Sequence, residues 1–101
     1  MAVSDGRKID RDGRCKTPVG STVDVAKATY TNAIGATYLQ AFFRDPEFDP
    51  AQRAFYYVRV IEIPTPRWTA YDAKRYGVKI SRDVPATTQE RAYTSPIWYN
   101  P

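Results

Sequence analysis

The strongest pattern in the chain is the alternation across residues 53–63, RAFYYVRVIEI. Successive side chains of a strand point to opposite sides. Tyr56, Val58 and Val60 therefore share one face, and Phe55, Tyr57, Ile61 and Ile63 share the other. Apolar residues on both faces predict a central strand covered on both sides. Pro64 and Pro66 end it, because proline cannot donate to a ladder. Residues 21–31 (STVDVAKATYT) also read as a strand, with Val23 and Val25 opposite Asp24, Ala26, Ala28 and Tyr30. Residues 36–44 (ATYLQAFFR) place Leu39, Ala41 and Phe43 on one strand face and Tyr38, Gln40 and Phe42 on the other. A helix is a rival there, since Leu39, Phe42 and Phe43 fit helical spacing too, and the β-rich neighbours favour the strand. Residues 91–99 (RAYTSPIWY) give a last strand, interrupted at Pro96, and Ala2 with Val3 forms a strand remnant.

Residues 69–76 (TAYDAKRY) predict a two-turn helix. Thr69 is placed to cap its start, Asp72 follows three residues on, and Gly77 ends it. Asn32 and Gly35 bracket a short connection, and residues 78–90 form a polar one. Asp45-Pro46-Glu47-Phe48-Asp49-Pro50 is a rigid acidic loop, because two prolines oppose both helix and ladder. Ser4-Asp5-Gly6 and Asp12-Gly13 are turn signals. The expected organisation is a polar N-terminal loop region over 1–20 and a single small β domain over 21–101. The expected fold is mainly β: a small antiparallel sheet or partial β-sandwich of three to four strands with one short helix.

Composition supports the β reading. Aromatics make up 14 % of the 101 residues, with eight tyrosines, and such side chains pack well on a pleated surface. The net charge of +4 comes from 15 basic residues scattered among 11 acidic ones. Even the basic stretch Arg7 to Lys16 is broken by Asp10 and Asp12, so nucleic-acid binding is not expected. No apolar run approaches the ~20 residues of a membrane span, and Met1-Ala-Val-Ser-Asp-Gly lacks the apolar core of a secretory leader.

Catalytic chemistry has little to work with. There is no histidine, which removes the commonest general base and metal ligand. Cys15 is the single cysteine, so no intrachain disulfide forms and no thiol-based zinc set exists. Asp45, Glu47 and Asp49 alternate like the start of a calcium loop, but Pro50 stands where that loop needs glycine. No catalytic residue, metal or cofactor is expected. The aromatics at Phe55, Tyr56, Tyr57 and at Trp98, Tyr99 are expected to pack a sheet. A second function class remains: a module for carbohydrate or an anionic polymer, with Arg67, Trp68, Tyr71, Arg75 and Tyr76 as candidate contacts.

Three stretches carry a family resemblance: GRCKTPVGSTVDVAKATYTNAIGA, DPEFDPAQRAFYYVRVIEIPTPRWTAYDAKRYGV and TTQERAYTSPIWYNP. Together they resemble the C-terminal end of a large bacterial family of unknown function. The upstream part of that family resembles a PHP-like (polymerase and histidinol phosphatase) metal-dependent hydrolase. Its metal ligands lie outside the matched portion, so no catalytic residue carries over. The resemblance implies a β-sandwich appended to the catalytic part, with RAFYYVRV and TSPIWY as its last two strands. It also implies an exported parent protein. A sandwich lacking its upstream strands leaves an open edge and a bare apolar face. The expectation is therefore a non-catalytic accessory or interaction module that self-associates, by completing a shared sheet or exchanging strands, with a hydrolase-like domain as the other candidate partner.

Overall fold

A computed structural model describes all residues, 1–101. Strands β1 (Ala54–Tyr56), β2 (Arg59–Ile61) and β3 (Thr65–Pro66) precede helix α1 (Trp68–Tyr76). Strands β4 (Thr87–Thr88), β5 (Arg91–Tyr93) and β6 (Ile97–Tyr99) follow it. Each early strand pairs antiparallel with a late one: β1 with β6, β2 with β5, β3 with β4. The three pairs form one folded-back ribbon in which residues 54–66 run against residues 87–99.

The ribbon is jointed where proline forbids a regular ladder. Between β1 and β2, residues 57 and 58 face residues 94, 95 and 96, so the late arm carries one extra residue beside Pro96. Between β2 and β3 the excess reverses: residues 62, 63 and 64 face 89 and 90, beside Pro64. The two bulges compensate, and the register at the third pair returns to that of the first. Hydrogen bonds hold the joints. The Thr94 amide donates to the Val58 carbonyl at 3.0 Å, and the Val58 amide donates to the Thr94 hydroxyl at 3.0 Å. The Glu62 amide donates to the Glu90 carbonyl at 2.9 Å.

Helix α1 begins one residue before the expected start. Arg67 is its N-cap, with an extended backbone and no side-chain cap. Thr69, the expected cap, instead donates its hydroxyl to the Pro85 carbonyl at 3.2 Å and pins the returning chain. Gly77 ends the helix in the left-handed region at φ 65°, as its position predicts. Lys74 and Arg75 sit in the last turn, where the helix dipole favours cations. Ala70 is 1 % exposed and Pro66 is buried, so the helix and β3 supply two of the chain's 4 buried residues.

Several expected strands are absent. Residues 21–31 hold only the isolated bridge Asp24–Thr29, closing a four-residue turn. The Asp24 carboxylate accepts the Lys27 amide at 3.0 Å, and Ala28 turns left-handed at φ 49°. Local aspartate chemistry there outcompetes extension. Residues 36–44 form neither strand nor helix, and Phe42 is 94 % exposed. Ala2 and Val3 form no strand. The segment 53–63 is neither continuous nor central: Phe55, Tyr57, Val58, Val60 and Ile61 are all exposed.

The N-terminal region ties to the ribbon at one point. The Gly35 amide donates to the Asp5 carboxylate at 2.9 Å, and Gly35 lies so close to Ile63 that a Cβ on it would meet Ile63 Cγ2 at 2.6 Å. Asp5 also accepts the Ser4 hydroxyl, and these two bonds hold its carboxyl below the ordinary aspartate range.

The surface is far too large for the mass. A compact chain of 11.5 kDa exposes about 5,800 Å², whereas this one exposes 8817 Å². The radius of gyration is 18.5 Å, against ~13 Å for a compact chain of this length. Only 4 of 101 residues are buried. A two-stranded ribbon with so little behind it is marginal in water.

Candidate functional site

Alternation along β1 and β2, together with the register to β5 and β6, sorts the ribbon into two faces. Phe55 pairs with Trp98 and Arg59 with Tyr93, so these residues and Tyr57 share one face. Their rings form a continuous row. Trp98 lies 5.2 Å from Phe55, Phe55 lies 6.2 Å from Tyr57, and Tyr57 lies 6.1 Å from Tyr93. All four are between 54 % and 67 % exposed. Alternation and pairing place Arg59 and Arg91 on the same face, whereas Arg53 precedes β1 and lines a recess with Asp45, Glu47 and Asp49. None is within ion-pair distance of a carboxylate: the only ion pairs are Lys16–Asp10 and Lys27–Asp24.

The opposite face is partly covered at one end by the acidic loop. Tyr56 donates its hydroxyl to Asp45 Oδ2 at 2.8 Å, Tyr99 donates to the Pro50 carbonyl at 3.0 Å, and Phe48 meets the Tyr99 ring edge-on at 4.9 Å. The loop's aspartates are used locally. Asp45 also accepts the Glu47 amide, and Asp49 accepts the Ala51 amide and the Gln52 side chain. Glu47 makes no such bond and points its charge to solvent.

The Asp45 hydrogen bond, aided by desolvation and by the carboxylate charge, raises the Tyr56 pKa above the ordinary 10.0. A raised folded-state pKa contributes stability that is fully present below the ordinary value. That stability is lost as pH climbs through the folded value. Among the eight tyrosines, Tyr56 is expected to ionise late. Asp45→Asn should bring the last phenolate transition to lower pH in an ultraviolet titration. An unchanged transition would mean that the bond does not form in solution.

The five candidate contacts from the sequence lie at the other end of the molecule, on or beside α1. Trp68, Tyr71 and Tyr76 are exposed, and the Arg75 guanidinium lies 5.5 Å from the Tyr76 ring centroid. Arg67 and Trp68 border a shallow recess with Thr65, Pro66, Thr88 and Glu90. No two of the three rings pair with one another, so they are exposed without forming a common platform. Sequence reasoning missed the cationic character of the ribbon face. The readable signal was the odd-numbered alternation Phe55, Tyr57, Arg59. The contribution of Arg91, Tyr93 and Trp98 depends on a register that only the fold defines.

No group of three carboxylate or thiol side chains converges as a metal set would. Cys15 is half-buried and its thiol donates to the Thr17 carbonyl at 3.4 Å. No helix is long and apolar enough to cross a membrane. Residues 1–101 match the model of the family described as protein of unknown function, DUF3604. No curated protein and no solved structure matches the chain.

Proposed function

We propose that this chain, which belongs to the DUF3604 family, is a non-catalytic interaction module that associates with further copies of itself. The observation that carries the reading is the surface. It exceeds that of a compact chain of equal mass by about 3,000 Å², given the 8817 Å² exposed. That excess lies in the range of obligate interfaces, above the ~1,600 Å² total of a standard one. Burying even half of it stabilises a marginal ribbon by tens of kcal/mol in gross transfer energy at ~25 cal/mol per Å², before the costs of association are subtracted. The lack of histidine and the lone thiol support a role without chemistry. The likeness to the end of a hydrolase-like bacterial family adds a hydrolase-like domain as the rival partner.

A second reading, a module for carbohydrate or an anionic polymer, draws on the exposed Trp68, Tyr71 and Tyr76 beside Arg67 and Arg75. It accounts for the helix surface and leaves the much larger ribbon surface without a role. Melting under reducing conditions separates the two readings. A self-associating module gains ~1.4 kcal/mol per tenfold rise in concentration for each binding step coupled to folding, so its midpoint climbs with concentration. A midpoint that is independent of concentration over two decades overturns the proposal.

A further inference from the structure

We infer that the aromatic–guanidinium face of the ribbon is the docking surface for the acidic loop of a second copy, so that copies add head to tail. This deepens the self-association reading by naming the two surfaces that meet, and it rests on that reading.

Charge decides the occupant. Arg59 and Arg91 share the face with Phe55, Tyr57, Tyr93 and Trp98, and neither forms an ion pair within the chain. Two such faces packed on each other would oppose two guanidiniums with two. A like-charge pair at about 4 Å costs ~4 kcal/mol at the dielectric of a partly wet interface. The chain carries its own complement in the acidic loop: Glu47 is exposed and unbonded, and Asp45 and Asp49 keep their charge while accepting local hydrogen bonds. Arg also stacks on aromatic rings, so the face suits a loop that brings carboxylates for the guanidiniums and Phe48 for the ring row.

Topology decides the mode. The loop is bonded to Tyr56 and Tyr99, whose positions alternate with Phe55 and Trp98, so loop and aromatic row lie on opposite sides of one ribbon. They cannot meet within a chain. A contact between two different surfaces on opposite sides is heterologous, and it propagates instead of closing into a two-fold dimer. The area is adequate. The four rings at their observed exposure offer about 500 Å², and the arginine stems and Ile61 carry the patch toward the ~800 Å² per partner of a standard interface.

The test uses two variants of the full chain, each checked for retained secondary structure by circular dichroism. One neutralises the face (Arg59→Gln, Arg91→Gln). The other neutralises the loop with near-isosteric side chains that each keep one accepting oxygen (Asp45→Asn, Glu47→Gln, Asp49→Asn). Each variant alone is expected to lose association by at least about tenfold, since several charge-assisted contacts go together. An equimolar mixture is expected to form a 1:1 complex that grows no further, because each variant keeps one intact half. Wild-type mass should also fall as salt rises from ~0.05 M to ~0.5 M, where screening shortens below 10 Å; this readout needs no variant to fold. A mixture with no complex, variants that oligomerise like wild type, or a wild-type mass insensitive to salt overturns the head-to-tail contact while leaving self-association standing. A wild-type monomer overturns both.

Discussion

Gly35→Ala is expected to destabilise the chain by about 3 kcal/mol and to release the N-terminal region from the ribbon. Two separate costs add. Gly35 sits at φ 83°, where a side chain is strained by ~1–2 kcal/mol. Its new Cβ would also lie 2.6 Å from Ile63 Cγ2, closer than carbon atoms pack, and such overpacking costs ~1–3 kcal/mol. The Gly35 amide holds Asp5, so displacement of the loop breaks a bond that spans 30 residues of the chain. The measurement is a denaturant titration of Gly35→Ala, Ile63→Ala and the double variant. The double variant should recover the steric part and retain the backbone part, giving a coupling of at least ~1 kcal/mol. Additive losses would mean that Gly35 and Ile63 do not touch in solution.

Ala70→Asp is expected to cost about 3 kcal/mol or more and to melt α1. Ala70 is 1 % exposed, the lowest value in the chain, and faces β3 beside the buried Pro66. Burying a charged group is among the costliest single changes. A helix of nine residues does not persist once undocked, since isolated helices shorter than ~12 residues are marginal. Circular dichroism should show loss of the helical signal. Ala70→Gly serves as the comparison: it keeps the contact free of charge and should cost only ~1 kcal/mol in helix propensity. Equal losses for the two variants would show that burial at this position is not what holds the helix.

Much of the ribbon and helix was legible because local chemistry and tertiary structure agree there. The 53–63 alternation, the interruption at Pro64 and the left-handed stop at Gly77 all follow from residue type, whereas Pro66, expected to end the ladder, lies inside β3 opposite Thr87. Pro96 marked a break in the last strand, and the break is a bulge. What was not legible depends on pairing. Alternation at 21–31 and 36–44 is necessary for a strand but does not supply a partner, and neither segment finds one. At 24–29 the Asp24 side chain also captures the turn. Two apolar faces on 53–63 implied cover on both sides, yet Phe55, Tyr57, Val58, Val60 and Ile61 are exposed. The site followed the same division: the helix aromatics were visible one by one, whereas the ribbon face needed the register of β5 and β6 to assemble it.

Self-association is tested most directly by the absolute molar mass in solution, by size-exclusion chromatography with light scattering. A reducing agent removes disulfide-linked pairs through Cys15. Species at multiples of 11.5 kDa are expected, in a proportion that grows with concentration. A folded species of 11.5 kDa at every concentration, with cooperative unfolding, would contradict self-association.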